Sequence, residues 1–183
     1  MVLLVKIVLV GDGNVGRTTL RLKHLGKPVD TMHKSSIGAE TSLLEYEFDK
    51  NIIRFQVWQL SEKQRHDAIR SVYYKGALGA ILLFDVQREE SFNNLNFWIN
   101  EIWSNNDTGQ IPIAIYGNVR DLTKVSVPYI RVLAYIEKLK EFQSVKVPIR
   151  YFEGSVLKGE KLDKILEFLA QEYLKIVEEQ KNN

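Results

Sequence analysis

Residues 11–18 read GDGNVGRT, and they join an apolar run, Leu3–Val10, to an amphipathic segment, Arg17–Leu25. This order of strand, glycine-rich turn and helix is the context of the P-loop pattern G-x-x-x-x-G-K-[ST], with Arg17 in the position of the lysine. Glycine lets the backbone N–H groups of such a turn converge on phosphate oxygens, and the helix N-terminus adds partial positive charge. The alternative is a glycine turn without a ligand, but the context favours a phosphate site. Its predicted residues are Gly11, Asp12, Gly13, Asn14, Val15, Gly16, Arg17, Thr18 and Thr19.

Two side chains of this loop carry predictions of their own. Thr18 is placed to give its hydroxyl to Mg²⁺. Arg17 keeps the positive charge of the lysine that it replaces, but a guanidinium is a broad planar fork, whereas an ammonium is a compact donor. Two outcomes follow: Arg17 crowds the loop, or it binds the phosphates from a displaced position.

The composition limits the remaining possibilities. With 183 residues, 45% of them hydrophobic and 26% charged, the chain is predicted to be a single domain, 1–183, with a sizeable core. The net charge of +2 is spread without a basic stripe, so a nucleic-acid partner is not expected. Cysteine is absent, which excludes disulfides, thiolate metal sites and thiol-linked lipid anchors. The apolar start is too short for a membrane span, and we expect a cytoplasmic monomer without a direct lipid anchor.

Short apolar runs alternate with longer amphipathic segments, which is typical of βαβ units and a mostly parallel sheet. The short link at residues 49–51 makes the two strands around it an antiparallel hairpin. We therefore predict an α/β fold, a six-stranded, mostly parallel sheet with one antiparallel edge strand and helices on both faces. The predicted strands are 3–10, 43–48, 52–58, 80–84, 111–116 and 148–152. The predicted helices are 17–25, 91–103 with Ser91 as its cap, 128–142 and 162–176.

The spacing of several motifs resembles that of the small GTPases of the Ras superfamily, and of the Rab branch in particular. The segment YYKGALGA at residues 73–80, Phe84-Asp85-Val86, Ser91-Phe92 and Trp58 carry the Rab-like pattern. The resemblance extends from about Leu4 to the last helix. It implies a P-loop NTPase of the small G-domain type, which binds guanine nucleotide with Mg²⁺ and contacts protein effectors or regulators through its switch regions.

Two later loops resemble the parts of the family that bind the base. Residues 118–121 read NVRD where the family has N-K-x-D, and the aspartate of that motif accepts hydrogen bonds from guanine N1–H and the exocyclic amine. Val119 replaces the lysine whose stem covers the base, so part of the stacking is lost. Residues 153–157 read EGSVL for the family's E-T-S-A-K, and the backbone N–H of Val156 is expected to meet the guanine carbonyl. A generic Asn/Asp loop cap is the alternative. The residues implied in base binding are Asn118, Val119, Asp121, Ser155, Val156 and Leu157.

The switch regions depart from the family pattern. Ser36 stands where switch I of the family has threonine, and its hydroxyl can still ligate Mg²⁺. Residues 58–64 read WQLSEKQ where the family has W-D-T-A-G-Q-E. Gln59 replaces the aspartate that holds the metal through water, which predicts weaker Mg²⁺ binding. Glu62 replaces a glycine whose N–H meets the γ-phosphate, and Lys63 replaces the glutamine that orients the attacking water.

These replacements lead to three hypotheses. The first is a nucleotide-dependent binding module that binds GDP or GTP and hydrolyses GTP slowly or not at all. Slow hydrolysis is expected because a charged Lys63 cannot accept a proton from water and the carboxylate of Glu62 repels phosphate. The second is a competent GTPase in which Arg17 and Lys63 form an altered catalytic site. The third is a scaffold that binds no nucleotide, which Arg17 and Val119 favour. The residues that favour the first hypothesis over the third are Gly11, Gly16, Thr18, Asn118 and Asp121.

Overall fold

The alternating strands and helices of the chain form one mixed sheet with helices on both faces. The computed structural model describes residues 2–28, 38–63, 67–120, 122–142 and 144–182. Its strands are β1 Val2–Gly11, β2 Lys27–Pro28, β3 Ala39–Phe48, β4 Asn51–Leu60, β5 Gly79–Asp85, β6 Ile113–Asn118 and β7 Ile149–Gly154. Its helices are α1 Arg17–His24, α2 Asp67–Tyr73, α3 Glu89–Asn93, α4 Leu95–Asn105, α5 Tyr129–Phe142 and α6 Leu162–Asn182.

The strand order in the sheet is β2-β3-β4-β1-β5-β6-β7. β3 pairs antiparallel with both β2 and β4, and the other pairs are parallel. The predicted α/β fold and its six strands are thus confirmed. The two-residue β2 is an additional strand beside β3 that the sequence pattern does not predict.

Two hydrophobic clusters lie on opposite faces of the sheet. One contains the apolar side of α4 and α5, with Ile99 and Ile136 among its buried members. The other contains α1 and α6, with Leu20 and Phe168 fully buried. The strands β5 and β6 are buried along their whole length between these layers, as their continuous apolar sequences predict. Consequently, the loops that follow the parallel strands meet at the carboxyl edge of the sheet, where ligands bind in folds of this class.

The helix predicted at residues 91–103 is divided in two, and the prediction of Ser91 as its cap is wrong. α3 begins earlier, with Arg88 preceding it, and α4 follows after Asn94. Ser91 lies inside α3 with its hydroxyl on the carbonyl of Arg88 at 2.7 Å, and it accepts the backbone N–H of Asp85 at 3.1 Å. A buried serine that bonds back to the preceding turn cannot also cap the helix. Within the described ranges, no helix combines the length and the apolar character that a membrane crossing needs.

Candidate nucleotide-binding site

A cavity of about 670 Å³ opens at the carboxyl edge of the sheet, between the P-loop and the loops after β4, β6 and β7. Except for Arg120, every residue that lines it is a predicted site residue. The lining residues are Asn14, Gly16, Arg17, Thr18, Thr19, Glu62, Asn118, Arg120, Ser155, Val156 and Leu157. The structure therefore brings together four segments that are separate in the sequence, near residues 14–19, 62, 118–120 and 155–157.

The P-loop has the backbone conformation that its glycines predict. Gly16 has φ 111°, and a Cβ there would lie 2.8 Å from both Asn118 Nδ2 and Val156 Cγ2. Gly11 has φ 135°, and a Cβ there would run into the carbonyl oxygen of Leu83. Any residue larger than glycine would push the P-loop away from the loops that complete the cavity at position 16, and away from strand β5 at position 11.

Arg17 does not point along the loop as a simple lysine substitute would. Its guanidinium is buried and donates to the carbonyl of Leu60 and to the carboxylate of Glu62. A Cβ on Gly13 would lie 3.5 Å from the nearer Glu62 carboxylate oxygen, so this carboxylate lies beside the P-loop. In this structure the partners of Arg17 are therefore internal, and the two predicted outcomes, crowding of the loop or phosphate binding from a displaced position, stay predictions.

The charge of Glu62 follows from its surroundings. Burial raises the pKa of Glu62, but its own backbone N–H, the hydrogen bond from Arg17 and the positive charges of Arg17 and Lys63 outweigh that effect, so the pKa is lowered. The carboxylate is therefore ionised at neutral pH and stands at the cavity wall as a fixed negative charge.

A chain of hydrogen bonds runs from the P-loop to β3. Gln59 Nε2 donates to the hydroxyl of Thr18 at 3.0 Å, and Gln59 Oε1 accepts from Arg21 Nε at 3.0 Å. Arg21 is buried and also pairs with the carboxylate of Glu40. Thr18 and Arg21 are three residues apart on α1, so both face the end of β4. The predicted metal ligand Thr18 is thus in contact with the residue that stands in the aspartate position.

Asn118 joins the P-loop to the last loop. Its Nδ2 donates to the carbonyl of Val15 at 2.9 Å, and its Oδ1 accepts from the N–H of Val156 at 3.2 Å. Val119 does not line the cavity, because its apolar side chain packs into the core while its N–H donates to Gly154. Without a lysine stem at this position, the base would have to be covered by another side chain.

Arg120 is the cavity residue that the sequence analysis misses. Its guanidinium donates to the carbonyl of Asn14 and pairs with Asp85, with Arg120 Nε 3.2 Å from Oδ2. Its side chain is half exposed, whereas Asp85 is buried. The available signal is the cation directly after Val119, where the family has its lysine one residue earlier. The positive charge is therefore kept in this loop but moved by one position.

The remaining predicted residues lie around the cavity or outside the described ranges. Asp12 faces α4, where it accepts from Asn94 Nδ2 at 2.8 Å and from Trp98 Nε1 at 2.7 Å. Lys63 is exposed and does not line the cavity. Ser36 and Asp121 lie outside the residues that the structure describes, and their predicted roles stay predictions.

The comparisons with known proteins agree with this geometry. The model of the Ras family matches residues 6–175. The chain belongs to the Ras family. Among its curated relatives, this Ras-family protein is 29% identical to the Ras-related protein Rab7 of Pisum sativum over 180 residues, which cover 97% of the chain and 85% of the relative. It is 30% identical to Rab7 of Gossypium hirsutum over 176 residues (94% and 83% covered) and 32% identical to RABA1c of Arabidopsis thaliana over 156 residues (85% and 68% covered). The predicted resemblance to the Rab branch is confirmed.

Proposed function

We propose that this Ras-family protein binds GDP or GTP as a nucleotide-dependent binding module and hydrolyses GTP slowly or not at all. Family membership, the P-loop conformation and a cavity that the P-loop shares with residues 118, 120 and 155–157 support nucleotide binding. The observation that carries the second half of the proposal is the ion pair of Arg17 with Glu62 beside Gly13.

This ion pair opposes hydrolysis in two ways. The guanidinium that would neutralise charge developing on the phosphates is already held by Glu62 and by the carbonyl of Leu60. The Glu62 carboxylate, whose pKa is lowered, places a negative charge where the third phosphate of GTP would approach the loop. Lys63, in the position of the water-orienting glutamine, carries only hydrogen-bond donors and does not line the cavity. The Glu62 charge favours GDP over GTP, and all three features slow the chemistry.

A nucleotide-free scaffold is the second candidate, and one observation favours it. The polar groups expected to meet a nucleotide already have partners within the protein. Thr18 accepts from Gln59, Asn118 spans two loops, and the N–H of Val156 donates to Asn118. A site of this kind is stable without a ligand, because the polar groups named here already have hydrogen-bond partners.

The partners we propose are protein effectors or regulators that contact the switch regions, as elsewhere in the family. We further propose that the protein acts as a monomer in the cytoplasm and is brought to any membrane by such a partner.

The bound nucleotide tests the proposal directly. The purified protein is denatured and the released material is chromatographed, and GDP is the expected product. If no nucleotide is released and titration with GDP also gives no heat, only the scaffold hypothesis remains.

Single-turnover hydrolysis of bound GTP is then compared with that of the double variant Glu62→Gly/Lys63→Gln. We expect the double variant to be at least about tenfold faster, which corresponds to ~1.4 kcal/mol of transition-state stabilisation. Lys140→Gln on α5 serves as the control, and a fast unmodified protein would refute slow hydrolysis.

A further inference from the structure

We propose that this site binds its nucleoside diphosphate without a divalent cation, because the hydrogen-bonded chain Thr18–Gln59–Arg21 takes the place of the metal. The inference rests on the nucleotide binding proposed above. The family implies a Mg²⁺ ion bound by the hydroxyl of Thr18, so the inference depends on whether the residues around that hydroxyl suit this ion.

The orientation of the Gln59 amide is fixed by its neighbour. Arginine can only donate hydrogen bonds, so the amide oxygen of Gln59 must face Arg21, where Oε1 lies 3.0 Å from Nε. The amide nitrogen therefore faces Thr18, 3.0 Å from its hydroxyl oxygen. An aspartate at this position would offer an oxygen to a metal-bound water. Gln59 instead presents N–H donors towards Thr18. These can neither ligate Mg²⁺ nor accept a hydrogen bond from a water bound to it.

The charges around Thr18 also disfavour binding of a divalent cation. Two buried guanidinium groups, Arg17 and Arg21, lie one turn apart on α1 beside the P-loop. Each is paired with one carboxylate, Glu62 and Glu40 respectively. No carboxylate of these four residues is left to compensate an added divalent ion.

The rest of the described chain offers no substitute for the missing ligand. Within the described ranges, no group of three or more histidine, aspartate or glutamate side chains is arranged to hold a metal ion. Ser36, the other predicted ligand, lies outside those ranges, but its hydroxyl is neutral and adds no negative charge. Mg²⁺ therefore does not fit the donor set around Thr18, and the phosphates of the nucleotide are left to the amides of the P-loop.

The test is the affinity for GDP with and without the metal. The full chain, freed of bound nucleotide, is titrated with GDP by calorimetry in excess magnesium chloride and again in excess EDTA at matched ionic strength. We expect dissociation constants that agree within about threefold. A loss of about tenfold or more in EDTA would overturn the inference and leave nucleotide binding standing. Absence of binding in both buffers would instead refute the proposed function, and this inference with it.

A double variant assigns the effect to these residues. Arg21→Leu/Gln59→Asp removes the buried cation and supplies the missing carboxylate, so its affinity for GDP is expected to become at least about tenfold weaker in EDTA than in magnesium. Arg54→Gln, which breaks an exposed pair with Glu45, is the matched control and should keep the metal-independent behaviour. A double variant that shows a cooperative thermal transition and still ignores magnesium would overturn the role given to Arg21 and Gln59. If it does not fold, the comparison of the two buffers with the unmodified chain still decides the inference.

Discussion

Replacing Glu62 by glutamine is expected to shift the nucleotide preference towards GTP, because it removes a negative charge from the wall of the cavity without changing the size of the side chain. Two unit charges 4 Å apart interact by ~1 kcal/mol in water and by ~4 kcal/mol at an effective dielectric constant near 20. The Glu62 side chain is 38% exposed and paired with Arg17, so solvent and the guanidinium both reduce the repulsion. We therefore expect roughly 1–2 kcal/mol on binding of a third phosphate, or about a fivefold to thirtyfold change in the ratio of the two affinities.

The assay is a competition in which a fluorescent GDP is displaced by GDP or by a non-hydrolysable GTP analogue. The affinity for the analogue is expected to rise in Glu62→Gln, while the affinity for GDP changes much less because GDP lacks the third phosphate. Glu45→Gln, which removes an exposed carboxylate on β3, is the control and should leave the ratio unchanged. If Glu62→Gln alters the ratio by less than about twofold, the carboxylate does not face the third phosphate and our account of Glu62 is wrong.

Three further predictions concern stability, loop geometry and pH. Arg70→Ala is expected to lower the free energy of unfolding by about 3 kcal/mol in urea denaturation, because it breaks the ion pair of a buried guanidinium with the largely buried carboxylate of Glu101. Arg131→Ala, at an exposed pair, should cost less than about 1 kcal/mol, and equal effects would contradict this. Asn118→Ala is expected to weaken GDP binding by about tenfold or more in the same calorimetric titration, because it releases the P-loop from the last loop, and an unchanged affinity would speak against that link. The pKa of Glu62 is lowered on folding, so its contribution to stability is present above its unfolded pKa and is lost as the pH falls through the folded pKa. Acid should therefore destabilise the Glu62→Gln variant less than the unmodified protein. Parallel profiles of melting temperature against pH for the two proteins would refute this.

The parts of the fold that could be predicted are those that local chemistry determines. Continuous apolar runs such as residues 111–116 must be covered on both faces, so they identify the central strands. Gly16 must be glycine because its backbone has a positive φ and its neighbours leave no room for a Cβ. The division of the helix at Asn94 and the two-residue β2 were not predictable, because neither leaves a signal in the hydrophobic pattern.

The parts of the site that could not be predicted are the directions of long charged side chains. Arg17 reaches Leu60 and Glu62, which are 43 and 45 residues away in the sequence, and only the completed sheet brings them together. Arg21 lies just outside the P-loop pattern, so nothing in the pattern marks it as part of the site. Arg120 is half exposed, and its contact with Asn14 depends on the packing of two loops.

The unusual residues of this site compensate one another, and this argues against simple decay of an ordinary GTPase. A guanidinium at position 17 would be a costly buried charge without the carboxylate of Glu62, and Arg21 would be equally costly without Glu40 and the amide oxygen of Gln59. Random loss of function would leave such charges unpaired, whereas here each has its partner. It follows that restoring one family residue alone would unbalance the site: Glu62→Gly, for example, would leave Arg17 with only the carbonyl of Leu60. The variant Arg21→Leu/Gln59→Asp avoids such an unpaired charge, because it removes the buried guanidinium together with the amide oxygen that Arg21 contacts.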